Sequence, residues 1–141
     1  MDLFSGSGAI GLEAISRGAK KAILCEKEKN AIQIIEKNLE KTHFQDKAKL
    51  YNLSYEKLLI KINIETIDIV YIDPPYKTDY AYQAVKLLIR TNILKKYGLI
   101  IIETDEPDRI LKQINNLSIN IIDQRKYGRA TLIFLKKIKV N

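Results

Sequence analysis

Asp2-Leu3-Phe4-Ser5-Gly6-Ser7-Gly8-Ala9-Ile10-Gly11 is the stretch that decides the fold. A strand end runs into three glycines, and a helix from Ala9 to Arg17, stopped by Gly18, follows directly. Glycines tolerate positive φ and let backbone N–H groups approach a ligand closely, so strand, glycines and helix together read as a nucleotide-type binding loop. Glu26 closes the next strand, 20 residues beyond Gly6, where a carboxylate can accept hydrogen bonds from both hydroxyls of a ribose. Taken literally, Gly6-x-Gly8-x-x-Gly11 with Glu26 also fits a dinucleotide fingerprint. Asp2 separates the two readings. It stands where a carboxylate meets the cationic amino-acid end of S-adenosylmethionine, and a loop built for a pyrophosphate has no use for it. A nicotinamide oxidoreductase stays open as the competing reading.

Outward from this loop the chain alternates strand-like and helix-like segments. Strands are expected at 21–26, 47–52, 67–73 (a buried run), 98–104, 118–125 and 130–137, besides the strand end at 2–4. Helices are expected at 29–41, with Ile32, Ile35 and Leu39 on one face, and at 55–62, 81–91 and 107–115. Pro107 suits the first turn of the last of these. The last two strands are joined by a turn at Tyr127-Gly128, too short for anything but an antiparallel pair. The expected fold is therefore α/β: a Rossmann-like sheet of seven strands, mostly parallel, with one antiparallel strand near the C-terminus. The 141 residues suffice for one domain, 1–141.

Composition narrows the classes. Apolar residues make up 46% and charged residues 29%, as in a globular protein rather than a disordered one. No apolar run reaches the roughly 20 residues of a membrane span, and no signal peptide is visible, which suits a cytoplasmic protein. One cysteine and one histidine leave neither an internal disulfide nor a zinc site to expect. The net charge of +7, from 24 basic against 17 acidic residues, suits a polyanionic partner such as nucleic acid. Met1 lies almost on the first motif, so a preceding segment is expected to be missing from this chain.

Asp73-Pro74-Pro75-Tyr76 ends the fourth strand and is the more specific signal. Ligands of open α/β sheets sit beyond the carboxyl ends of the strands. An exocyclic amine of a base has its lone pair delocalised into the ring and must become pyramidal to attack a methyl group. Asp73 can accept one of its N–H groups and the Pro74 carbonyl the other, which directs the lone pair and stabilises the developing positive charge. The prolines stiffen the turn, and Tyr76 can stack on an unpaired or flipped base.

With these motifs in view, the sequence resembles the RsmD-type family of bacterial 16S rRNA guanine-N2 methyltransferases. The stretches that carry the resemblance are DLFSGSGAIGLEAISRGAKKA (2–22), IDIVYIDPPY (67–76) and KYGRATLIFLKK (126–137). The first and third distinguish this family from DNA amino-methyltransferases, which share only the tetrapeptide. The resemblance implies a seven-stranded class I methyltransferase fold, S-adenosylmethionine as donor, and the small ribosomal subunit or its assembly intermediate as partner; no metal is expected, and with nothing in the sequence pointing to an obligate oligomer a monomer is expected. Residue by residue it implies Asp2, Phe4, Gly6, Ser7, Gly8 and Gly11 around the methionine part, Glu26 on the ribose, and Ser54 and Tyr55 beside the adenine. Asp73 also adjoins the cofactor, and Asp73, Pro74, Pro75 and Tyr76 form the catalytic set. Tyr55 departs from the small residue usual at its position. The family's N-terminal region, with an Arg-rich helix and a β-hairpin, has no counterpart in this chain. Adenine-N6 methylation through the same tetrapeptide, or a non-catalytic cofactor- or RNA-binding module, stand as alternatives.

Other residues carry weaker signals. Cys25 reads as a core cysteine within the second strand, not a nucleophile. Tyr80 and Tyr82 read as packing or as walls of a base pocket. Lys77, Arg125, Lys126 and Arg129 are candidates for an RNA-facing surface, and Lys136, Lys137 and Lys139 read as a basic tail.

Overall fold

The computed structural model describes residues 1–62 and 66–138, and Lys139 lies outside them. The chain divides into two compact units, Met1–Leu58 and Leu59–Asn141, each considered by itself.

In the first unit, α1 (Ala9–Ser16), β1 (Ala22–Cys25), α2 (Lys29–Thr42) and β2 (Ala48–Tyr51) alternate, and α3 begins at Tyr55. β1 and β2 pair in parallel, Ala22 with Ala48 through Cys25 with Tyr51. The strand end expected at 2–4 is a single parallel bridge, Asp2 to Leu24, because Leu3 and Phe4 already bend into the glycine loop. Helix spacing puts Leu12 and Ile15 of α1 and Ile35 and Leu39 of α2 against Ala22 and Leu24 of β1. Each fully buried leucine or isoleucine here contributes on the order of 1.5–3 kcal/mol. Ile32, expected on the same face, is only half-buried. Both helices end on left-handed residues: Gly18 at φ 110° follows α1, and His43 at φ 58° caps α2.

In the second unit α3 ends at Lys61, and β3 (Ile67–Ile72), α4 (Tyr80–Arg90), β4 (Leu94–Thr104), α5 (Pro107–Ile114), β5 (Ile119–Tyr127) and β6 (Ala130–Lys137) follow. The four strands lie in the order β3-β4-β6-β5. β3 and β4 are parallel, and β6 is antiparallel to both its neighbours. Among the described residues the seven expected strands thus become six and a bridge, in sheets of two and four strands. One strand, β6, has the antiparallel sense expected near the C-terminus.

Three further expectations are corrected. β3 is not buried throughout: Val70 and Ile72 are fully covered, but Asp68 and Ile69 are exposed. Gly98 does not start a strand; it lies within β4, where a step of two positions along β3 (Ile67 to Ile69) is matched by a step of five along β4 (Leu94 to Leu99). A Cβ at Gly98 would crowd the Lys95 carbonyl at 2.9 Å, so this glycine marks a bulge rather than a break. The hairpin turn is Gly128-Arg129, with Tyr127 and Ala130 paired across it and Gly128 at φ 62°. Pro107 does open α5. No helix among the described residues is long and apolar enough to cross a membrane.

Candidate functional site

The glycine loop of the first unit is tied down by two carboxylates. Glu26, half-buried at the end of β1, accepts the Gly6 N–H on one oxygen and the Glu28 N–H on the other, both at 2.9 Å. Asn52 donates to the Glu26 and Lys27 carbonyls. Asp2 is 4% exposed. Its side chain accepts the Phe4 N–H at 3.2 Å, and its carbonyl accepts the Cys25 N–H and the Ser5 hydroxyl. Burial, only partly offset by the Phe4 N–H, pushes the Asp2 carboxyl up to about 6. A cation brought to it would be strongly favoured, because it restores the solvation that burial removed.

Gly6 and Gly8 take positive φ, 56° and 82°, as a loop bringing backbone to a ligand requires. Gly8 packs on Ile35 and Leu24, whereas nothing lies within 4 Å of a Cβ at Gly6. Gly11 differs from both. It sits in α1 against the Leu24 side chain, with no room for a methyl, so it serves helix–strand packing. The Ser7 carbonyl accepts from Asn38 at 2.9 Å. Phe4 and Tyr55 face each other, ring centroids 5.2 Å apart, with Tyr55 buried and Ser54 half-buried at the start of α3. The structure therefore gathers Asp2, Phe4, Gly6 and Glu26 around one loop and packs Tyr55 against it. Cys25 is fully buried, donates to the Leu53 carbonyl at 3.1 Å, and has its thiol pushed up to about 12, chiefly by burial. It is no nucleophile.

In the second unit Asp73-Pro74-Pro75-Tyr76 follows the carboxyl end of β3. Pairing of Ile72 with Ile102 sets this turn beside the turn that leaves β4 at Thr104. Thr104 also pairs with Thr131 at the start of β6, which brings in the hairpin tip. The three turns enclose a cleft of about 230 Å³ lined by Asp73, Pro74, Tyr76, Asp105, Arg109 and Arg129, among others. Asp73 and Tyr76 are exposed. Tyr76 and Asp105 line the same cleft, the neighbouring Asp105 carboxylate raises the Tyr76 pKa, and Lys77 lies 5.8 Å above the Tyr76 ring. The turn is braced from below. The Thr78 hydroxyl donates to the Pro75 carbonyl at 2.9 Å, and Arg109, paired with Glu106, donates to the Thr78 carbonyl at 3.0 Å.

Comparison with known proteins follows this geometry. The model of the family described as conserved hypothetical protein 95 matches residues 1–136. The chain belongs to that family. Among curated relatives, ribosomal RNA small subunit methyltransferase D of Haemophilus influenzae is 34% identical over 82% of this chain and 61% of its own length. The protein of that name from Buchnera aphidicola is 37% identical over 82% of this chain and 59% of its own length. The chain thus spans about three fifths of the curated relatives it matches. A solved Haemophilus influenzae structure, of a protein assigned as a methylase, superposes with a TM-score of 0.81 at 30% identity, covering 98% of this chain and 85% of that one. The α/β fold is that of the methyltransferases of this family.

For this member of the conserved hypothetical protein 95 family, sequence reasoning missed Asp105, Thr78 and Arg109. The available signal was position: Asp105 follows the carboxyl end of β4, the strand beside the one that ends in the tetrapeptide. Of the other residues weighed, Arg129 reaches the cleft. Arg125 is paired with Asp123 and stacked over Phe134 instead, 5.3 Å from its centroid. Tyr82 is half-buried under Lys86, and Tyr80 is exposed.

Proposed function

We propose that this chain is the catalytic part of an S-adenosylmethionine-dependent methyltransferase that modifies the N2 amine of a guanine in 16S rRNA, within the small ribosomal subunit or its assembly intermediate. The observation that carries the proposal is the Asp73–Tyr76 turn: an exposed carboxylate, a half-buried proline and an exposed aromatic ring at the carboxyl end of β3, lining one cleft. The names of the relatives support a methyltransferase acting on ribosomal RNA of the small subunit.

The first unit fits the cofactor. Asp2 would hold the ammonium of the methionine part, the open backbone at Gly6, Ser7 and Gly8 would lie along it, and Glu26 would take the ribose hydroxyls on lone pairs left beside its two backbone bonds. Phe4, Ser54 and Tyr55 would border the adenine, with Tyr55 contributing its packed ring rather than a polar contact. Gly11 would close the loop on its helix side, packed on Leu24. When bound, S-adenosylmethionine supplies an electrophilic methyl group on sulfur.

The second unit would prepare the nucleophile. The Asp73 carboxylate and the Pro74 carbonyl each accept one N–H of the exocyclic amine, so its lone pair leaves the ring plane. As the nitrogen becomes positive, Asp73 stabilises it and is placed to receive the proton it sheds. Tyr76, steadied through Asp105, stacks on the base.

The test is transfer of tritium from labelled S-adenosylmethionine to small subunits from a strain lacking this methylation, with nucleoside analysis. Labelled N2-methylguanosine is the expected product. Labelled N6-methyladenosine, or no label while the cofactor binds, would overturn the proposal in favour of an adenine enzyme or a non-catalytic module.

A further inference from the structure

Three acidic side chains reach the cleft from the end of β4: Glu103, Asp105 and Glu106. Glu103 accepts the Tyr71 hydroxyl at 2.9 Å, and Glu106 is paired with Arg109 at 3.3 Å. Asp105 is exposed and lines the same cleft as Tyr76, itself part of the tetrapeptide, whose pKa it raises. It therefore brings a carboxylate to the cleft that Asp73 and Pro74 also line. The two turns leave adjacent parallel strands, roughly 4.8 Å apart, so their acceptors can converge on one base edge.

The edge chemistry is discriminating. Guanine carries its exocyclic amine beside N1–H, a second donor. Adenine carries its amine beside a bare N1, an acceptor. A carboxylate is an acceptor only, so it bonds the first edge and repels the second. We infer that Asp105 selects guanine: one carboxylate oxygen holds the Tyr76 hydroxyl, the other accepts N1–H, while Asp73 and Pro74 take the N2 amine. The inference rests on the proposed methyltransferase reading and supplies what the tetrapeptide alone cannot, the identity of the base. It makes Asp105 a specificity residue as well as a positioning residue for Tyr76.

2-Aminopurine separates these roles, since it keeps the 2-amino group but has a bare N1. Small subunits would be reconstituted on 16S rRNA carrying guanine or 2-aminopurine at the position labelled in the assay above, and methyl transfer compared between them. The wild type should prefer guanine by on the order of 10²-fold or more, as a site built to bond an N–H rejects an analogue without it. Asp105→Asn keeps an acceptor for Tyr76 but can turn its amide N–H toward a bare N1, so the preference should shrink at least tenfold. Tyr76→Phe, which slows transfer but leaves the carboxylate, should retain the preference. A wild-type preference near unity, or one that Asp105→Asn leaves unchanged while both rates fall together, would overturn the inference and leave Asp105 a support for Tyr76. Absence of transfer to the guanine subunits by the wild type would sink the proposed function, and this inference with it.

Discussion

Asp2 and Asp73 both stand where a strand gives way to a loop, yet their surroundings are opposite. Asp2 is buried, bonded to the Phe4 N–H, and held far enough from water that its carboxyl is pushed up to about 6. Asp73 is exposed at the rim of a cleft. Their loops differ in the same way. The glycine loop is closed by its own carboxylates, with Glu26 holding Gly6 and Glu28. The tetrapeptide turn is braced by Thr78, whose hydroxyl holds the Pro75 carbonyl, and by Arg109. On the proposed function, a cofactor of fixed shape and charge meets a preformed cradle, whereas a base that must arrive and leave meets an open rim.

The largest expected effect lies on the exposed side. Asp73→Ala removes one contact made to the developing charge and should lower single-turnover methyl transfer by roughly 10²-fold or more. A rate within about twofold of wild type would remove Asp73 from the reaction.

The next lies on the buried side and has the opposite sign for stability. A carboxyl whose folded-state pKa is raised from 3.8 to about 6 destabilises the fold while ionised. The unliganded protein should gain stability as pH falls from neutral through 6 toward 3.8, by up to roughly 2–3 kcal/mol. Asp2→Asn should gain that stability at neutral pH, keep an acceptor for the Phe4 N–H, and flatten the pH dependence. Urea midpoints at several pH values read this directly, and a destabilised Asp2→Asn would show that the buried charge is compensated within the fold.

A smaller effect separates glycines that look alike in sequence. Gly11→Val forces side-chain atoms into Leu24, which is fully buried, and should cost about 1–3 kcal/mol. Gly6→Ala has open space and should lose only the roughly 1 kcal/mol of left-handed strain. Equal losses in urea unfolding would mean that Gly11 is not the packing residue the geometry makes it.

These glycines also mark how far sequence reading reaches. Positive φ at Gly6 and Gly8, the helix they open, and the Pro-Pro turn after β3 are local, encoded where they occur, and legible. The helix face built on Ile32, Ile35 and Leu39 was legible from spacing: Ile35 and Leu39 are buried and Ile32 is half-covered. What depends on pairing between distant residues was not. Gly98 reads as a strand start until the bulge against β3 is seen. The close packing of Gly11 on Leu24 shows only once α1 and β1 are placed side by side. Asp105 has no motif of its own; it matters because the pairing of β3 with β4 sets the turn it follows beside the tetrapeptide, in one cleft with Tyr76.

The division of tasks between the two loops is tested most directly by calorimetric titration of S-adenosylmethionine into Glu26→Gln and Asp73→Ala. Glutamine cannot accept both backbone N–H groups that Glu26 holds, so cofactor affinity should fall about tenfold. Asp73→Ala should bind the cofactor within about twofold of wild type despite its lost turnover. Undiminished affinity in Glu26→Gln, or an affinity loss in Asp73→Ala as large as its loss of rate, would contradict the account.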